Sequence, residues 1–205
     1  MKHPTIFAFV TATGLAIGAL PASAQSCYGF PDEFGVYPQV GYLTQGESLG
    51  GFAGGVAASG LENVAMRVLY SRPALDGEDA PTGNGIRIEV AASPDFAFGT
   101  VCWITAFRQE WYDLAGDDLT NRQVVVGPSF GYGARRAEVS AHFFASPQIR
   151  FVGSRGFGNS ARDELWAAEA GVALTAQRLF TRVSAVKLQD VDDLQFEVVL
   201  GGWIR

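Results

Sequence analysis

Three residues with the functional groups of a hydrolase stand at alternate positions of one segment: Glu138, Ser140 and His142. An acid, a hydroxyl and an imidazole are the groups that activate a nucleophile for acyl transfer. Alternate residues share one face of a β-strand, but they are about 7 Å apart, too far for a direct hydrogen bond between nucleophile and base. We therefore predict that these residues belong to a polar network and that the chain is not an enzyme.

Acidic clusters are the other candidates for chemistry. They comprise Asp76, Glu78 and Asp79; Asp113, Asp117 and Asp118; and Asp190, Asp192 and Asp193. Carboxylates are ligands for Ca²⁺ and Mg²⁺, but none of these clusters has the spacing of a defined calcium loop. Beyond the first 24 residues His142 is the single histidine, which excludes a multi-histidine zinc site. We predict acidic surface loops with no metal and no cofactor, and leave open whether these loops bind divalent cations.

The elements that must position these residues are β-strands. Period-two alternation predicts ten of them, near residues 36–44, 49–58, 63–72, 85–93, 98–112, 122–133, 137–146, 163–175, 178–188 and 194–204. Their lengths cluster near the roughly 9–11 residues that cross a bilayer at a tilt. The strand number falls to eight if the first two segments form a periplasmic hairpin or plug.

The connections between these segments alternate in length. Short turns are predicted at 61–62, 93–95, 134–136 and 176–177, and longer polar loops at 73–84, 113–121, 147–162 and 189–193. This alternation is typical of an outer-membrane barrel, in which short turns face the periplasm and longer loops face outward.

The two faces of each segment differ in chemistry. On the third segment Val64, Met66, Val68 and Tyr70 share one face, and the opposite face carries Arg67. Large apolar residues fill a soluble barrel, whereas in a membrane barrel they meet lipid and the interior is polar. Because the polar face is mostly small residues with isolated charges, we predict that it lines a crowded lumen. The predicted lumen polar network is Arg67, Arg87, Glu89, Arg108, Glu138, His142, Glu169, Arg182 and Glu197.

Aromatic residues support the same interpretation. Tyr70, Trp111, Tyr112 and Trp166 lie beside the longer loops, and Phe96, Phe98, Tyr132 and Phe180 lie beside the short turns. Two aromatic belts are expected at the two interfaces of a membrane.

The N-terminus predicts export. Lys2 precedes a short apolar stretch that ends in Ala22-Ser23-Ala24, so residues 1–24 are expected to be a cleaved signal peptide. Residues 25–35 then form an N-terminal periplasmic segment and 36–205 the barrel. Without Lys2, the remaining 14 lysines and arginines stand against 21 acidic residues, a formal charge of −7 that argues against a nucleic-acid partner.

Cys27 and Cys102 are the two cysteines of the chain. An exported compartment is oxidising, so an even pair favours one disulfide, with two free thiols as the alternative. A bond between them would hold the N-terminal segment against the barrel as a small plug.

The cleaved leader and the alternating segments together resemble a small bacterial outer-membrane β-barrel of the OmpA-like and OmpX-like families. This resemblance implies an all-β, up-and-down antiparallel transmembrane barrel in the bacterial outer membrane. It also implies a monomer that contacts lipid and lipopolysaccharide and is inserted by the barrel assembly machinery.

The expected function is structural or related to permeability through a narrow pore. A porin for large solutes is disfavoured, because ten strands leave little more than a narrow water path. The alternatives are a soluble periplasmic lipocalin-like binder of small ligands and a lipid-modifying outer-membrane enzyme. Some lipid A deacylases that resemble this architecture use a His/Ser pair that faces lipid.

Overall fold

The computed structural model is an all-β protein. It describes residues 28–31, 35–45, 49–61, 64–75, 82–93, 100–114, 117–136, 138–156, 158–189 and 191–203. The strands are β1 (Gly35–Gln45), β2 (Leu49–Leu61), β3 (Val64–Leu75), β4 (Gly83–Ala92), β5 (Thr100–Leu114), β6 (Asp117–Arg136), β7 (Val139–Gly156), β8 (Asn159–Ala176), β9 (Leu179–Leu188) and β10 (Leu194–Gly202). Within these ranges no helix is long and apolar enough to cross a membrane.

The ten strands close into one up-and-down barrel. Each strand pairs antiparallel with its neighbours in sequence, and β1 closes the ring against β10, with Val40 opposite Leu200. The first two strands are therefore members of the sheet, which confirms the ten-strand prediction and removes the eight-strand alternative. We call the end with the β2–β3, β4–β5, β6–β7 and β8–β9 connections the turn end, and the opposite end the outer end.

The outside of the barrel is apolar and the inside is polar. Phe52 and Leu179 point outward and are 75 % and 70 % exposed, whereas the side chains of Arg67 and Arg182 are fully buried inside. A soluble barrel requires the reverse arrangement, because its large apolar residues must leave water. The distribution of faces is that of a transmembrane β-barrel, as the sequence predicted.

Charges on the outward face mark where the apolar band ends. Toward the outer end, the first charged residues on the outward faces of the described strands are Arg72, Asp113, Arg122, Arg155, Glu164 and Lys187. On β6 the outward residues from Val124 to Ala134 include no charged side chain. Eleven residues that rise about 3.4 Å each at a tilt near 45° span roughly 25 Å, the height of the apolar band of an outer-membrane barrel.

Two of the predicted loops are strands instead. Residues 113–121 and 147–162 mostly belong to β5–β8, and β6, β7 and β8 have 20, 18 and 18 residues. These strands continue beyond the apolar band. Their outer parts are exposed on both faces, as at residues 159–164, so the alternation that reveals a half-buried strand is lost there.

The aromatic belts are partly as predicted. Tyr70, Trp111 and Trp166 lie on the outward face toward the outer end, and Tyr132 lies on it near the turn end. The prediction was wrong for Tyr112 and Phe180, which point inward and are 4 % and 2 % exposed. Phe96 and Phe98 lie outside the described residues.

Candidate functional site: the lumen and its N-terminal plug

The lumen contains a piece of the chain that precedes the first strand. Residues 28–31, which we call the plug segment, are buried. The rings of Tyr28 and Phe30 belong to an apolar cluster with inward residues of the barrel wall, among them Phe144 and Ile104. Tyr28 packs edge-on against Phe144 with ring centroids 5.3 Å apart. The segment therefore fills the turn half of the lumen.

The plug segment makes a turn that needs a glycine. Tyr28 and Gly29 have φ angles of 59° and 67°, in the left-handed region that side chains with a Cβ rarely adopt. A Cβ on Gly29 would lie 2.8 Å from Cε1 of Phe144 and 3.0 Å from Cδ of Arg182. The turn thus brings the backbone directly against two lumen side chains.

A chain of alternating charges crosses the lumen at the level of the plug segment. Arg67 donates to Glu89 at 2.9 Å, Arg87 contacts Glu89, and Arg87 also donates to Glu197 at 2.9 Å. These residues project from β3, β4 and β10. The pair of Arg87 and Glu197 therefore connects two strands, β4 and β10, that are not adjacent in the sheet. Buried charges are tolerated only when paired in this way.

Arg182 on β9 extends the chain to the other wall. It donates to Glu169 at 2.6 Å and lies 3.4 Å from Glu197. Its guanidinium also lies over the rings of Tyr28 and Phe144, at 4.7 and 5.1 Å from their centroids. We call the connected set the lumen network; its members are Arg67, Arg87, Glu89, Glu169, Arg182 and Glu197.

The plug segment contacts the lumen network directly. The hydroxyl of Tyr28 donates to Glu169, and Arg67 lies over the ring of Phe30 at 4.8 Å. Phe30, Arg67, Glu89 and Arg182 are each no more than 1 % exposed. Water does not reach these side chains, so the lumen is closed at this level.

Most of the predicted lumen residues lie in the lumen, and one does not. Arg108 is inward and its Nε donates to Glu110 at 2.9 Å, while His142 is inward and 3 % exposed. The prediction for Glu138 was wrong: it is exposed in the β6–β7 turn, where its carboxylate accepts a hydrogen bond from Gln177 at 2.7 Å. The predicted turn was 134–136, whereas β6 continues to Arg136 and β7 begins at Val139, so Glu138 lies in the turn and not in the barrel wall.

The residues of the hypothetical hydrolase are separated by this placement. Ser140 and His142 are buried inside the barrel, at 4 % and 3 % exposure, and Glu138 is outside it. A lipid substrate meets the outer surface of a barrel. Ser140 and His142 face the lumen, so they do not face the lipid from which such a substrate would come.

Sequence reasoning missed three residues of the site. Tyr28 lies ahead of the first predicted strand, and Gln148 and Arg150 lie in the segment that was predicted as a loop. Nε2 of Gln148 donates to Glu169 at 2.8 Å, and Nη2 of Arg150 donates to Oε1 of Gln148 at 2.9 Å. Continued alternation through Gln148 and Arg150 was the signal that could have revealed the inward pair.

Cys102 lies on the inward face of β5 in the same apolar cluster as Tyr28 and Phe30, and it is disulfide-bonded. The chain has one other cysteine, Cys27, which lies outside the described residues. The disulfide is thus placed beside the plug segment.

The described residues contain no group of three or more His, Cys, Asp or Glu arranged to hold a metal ion. Of the acidic clusters, Asp76, Glu78, Asp79 and Asp190 lie outside these residues.

No family model matches the chain, and no curated protein matches it. Among solved structures, a KdgM porin in complex with disordered oligogalacturonate is 9% identical, with a TM-score of 0.40 over 82% of this chain and 99% of that chain. A second KdgM porin structure is 7% identical with the same TM-score and coverage. Ail, the attachment invasion locus protein of Yersinia pestis, is 18% identical, with a TM-score of 0.32 over 83% of this chain and 99% of that chain.

Proposed function

We propose that the protein is a bacterial outer-membrane barrel that is closed by its own N-terminal segment, with a structural role or a gated permeability role. The observation that carries this proposal is the plug segment, which fills the lumen between buried ion pairs. An open pore needs a continuous water path, and the level of Phe30, Arg67 and Arg182 has none among the described residues. Conduction therefore requires that the plug segment leave its place.

The outer rim supports contact with lipopolysaccharide. Arg72, Arg122, Arg155 and Lys187 lie on the outward face just beyond the apolar band. Cations at this height are suited to anionic headgroups of the outer leaflet, since charge pairing near a membrane surface is favourable. Asp113 and Glu164 lie at the same rim and add carboxylates through which divalent cations can bridge to phosphates.

The soluble-binder alternative conflicts with the faces of the barrel. A lipocalin-like protein keeps its apolar side chains around the ligand, but here the lumen holds the lumen network and the large apolar side chains are outside. The enzyme alternative lacks a catalytic arrangement on the lipid side among the described strands.

Conductance in planar lipid bilayers tests the proposal. We expect the oxidised wild-type protein to insert without steady conductance. The variant Tyr28→Ala/Phe30→Ala removes the two rings that fill the turn half of the lumen and should conduct, more so after reduction of the disulfide. Tyr132→Ala is the matched control, because it removes an outward-facing ring at the same end of the barrel.

Two results would overturn the proposal. A steady open channel in the oxidised wild-type protein would show that the plug segment does not close the lumen. A closed barrel in the reduced double variant would show that the plug segment is not what closes it.

A further inference from the structure

The outer half of the lumen contains a cavity of about 60 Å³ above the plug segment, which polar and apolar side chains line together and which Glu197 borders. Tyr28 and Gln148 lie toward its inner side, and Arg87, Arg108 and Arg150 project into it from β4, β5 and β7. A buried water needs about 10–15 Å³, so the cavity has room for about four to six waters, or for one small organic molecule. The exposure of the arginine side chains rises outward, from 0 % at Arg67 to 15 % at Arg87 and 18 % at Arg108, so the cavity is reached from the outer end.

Arg150 is the cation in this cavity that lacks a carboxylate partner among the described residues. It is 7 % exposed, and Gln148 Oε1 accepts hydrogen bonds from its Nε at 3.2 Å and its Nη2 at 2.9 Å. Arg87 and Arg108, by contrast, each contact a glutamate. A buried charge without a counterion is unfavourable, so the site is incomplete as it stands.

In the described lumen as a whole, arginines also outnumber glutamates. Its five arginines are Arg67, Arg87, Arg108, Arg150 and Arg182, and its four glutamates are Glu89, Glu110, Glu169 and Glu197. The excess is one positive charge, which matches one monoanion better than a dianion. The amides of Gln123 and Gln195 also line the cavity and supply neutral donors and acceptors.

We propose that this cavity binds a small carboxylate monoanion, whose carboxylate lies against the guanidinium of Arg150. A guanidinium can donate two parallel hydrogen bonds to a carboxylate. On Arg150, Nε and Nη2 both donate to Gln148, which fixes the orientation of the guanidinium, and Nη1 is left for the ligand together with the second hydrogen of Nη2. A hydroxyl group on the ligand finds partners in Gln123 and Gln195. Tyr28 of the plug segment forms part of the inner side of the cavity, so the site rests on the closed barrel of the proposed function, whereas its test reads ligand binding and not conductance.

Saturation-transfer NMR with refolded protein in detergent tests this site, with L-lactate as the probe. We expect saturable binding of lactate, no saturable binding of the neutral analogue lactamide, and weaker binding of inorganic phosphate. Arg150→Met should weaken lactate binding at least about tenfold, the effect of losing one charge-assisted pair worth about 1.4 kcal/mol or more. Arg178→Met is the matched control, because Arg178 is exposed in the β8–β9 turn, away from the cavity, and it should leave the affinity unchanged.

The stability of Arg150→Met separates a binding role from a structural one. If Arg150 serves a ligand, its replacement removes an uncompensated buried charge and should not lower the urea midpoint. A lower midpoint together with unchanged lactate binding would overturn the proposal. The absence of saturable lactate binding by the wild-type protein, equal binding of lactamide, or tighter binding of phosphate would also overturn it.

Discussion

Removal of Arg182 is the sharpest test of the lumen network. Arg182 is fully buried and is the cation that contacts Glu169, at 2.6 Å, while Glu197 keeps Arg87 as a second partner. The substitution Arg182→Met leaves Glu169 buried with neutral partners only, Tyr28 and Gln148. Breaking a buried pair in this way costs about 3–5 kcal/mol, because one charge is left uncompensated.

The double variant Arg182→Met/Glu169→Gln separates charge from packing. It removes both members of the pair, so the uncompensated carboxylate is gone. The remaining losses are the contact of Arg182 with Glu197, which keeps Arg87 as a partner, and its contact with two aromatic rings. Such cation–π contacts are worth about 0.5–2 kcal/mol. We therefore expect the double variant to be less destabilised than Arg182→Met alone.

The measurement is equilibrium urea unfolding of the barrel in lipid vesicles, with linear extrapolation of the free energy of unfolding. Arg178→Met is the control, because Arg178 is exposed in the β8–β9 turn and lies outside the lumen; it should cost about 0.5 kcal/mol or less. The lumen network does not stabilise the barrel as described if Arg182→Met costs no more than Arg178→Met, or if the double variant is as unstable as the single one.

Two further predictions concern glycines with positive φ. Gly29→Ala should destabilise the closed barrel by about 1–3 kcal/mol more than Gly158→Ala, since both strain the backbone but only Gly29 would press a Cβ against lumen side chains; equal urea midpoints would contradict this. An epitope tag inserted at Gly158, which is exposed in the β7–β8 turn with open space around it, should bind antibody on intact cells; binding only after permeabilisation would invert the topology.

Much of the barrel could be predicted from the sequence because the physical signal was local. The alternation of β3, with Val64 and Met66 outward and Arg67 inward, follows from a sheet that has lipid on one side and a lumen on the other. The closure of ten strands could not be read from any one segment, but it followed from the alternation of turns and loops.

The outer part of β7 was missed for a specific reason. The predicted strand ended at residue 146, directly before Pro147, and a proline cannot donate to a strand ladder. In the structure the pairing of β6 with β7 runs to Val126 opposite Ile149 and resumes at Phe130 opposite Ala145, and in this register Pro128 and Pro147 fall opposite each other in the gap. Ser146 donates its hydroxyl to the carbonyl of Pro128 at 2.8 Å and bridges the interruption.

The site itself depends on contacts that are remote in sequence. Tyr28 and its partner Glu169 are 141 residues apart, and no periodicity links a segment ahead of the barrel to the wall that it meets. From the sequence, the cysteine pair suggested that the N-terminal segment is a plug and the alternation indicated charged residues in a lumen, but neither indicated that these charges hold the plug.

The depth dependence of a charge on the outward face of β9 tests the membrane assignment most directly. Val183 lies in the middle of this strand and Leu179 is its first residue, on the same face, with 41 % and 70 % exposure. In a membrane, Val183→Arg should lower the free energy of unfolding in vesicles by about 2–4 kcal/mol and Leu179→Arg by about 0–1 kcal/mol, because the cost is greatest at the bilayer midplane. Equal and small effects of the two substitutions would contradict the account, since they are expected only if water surrounds the barrel.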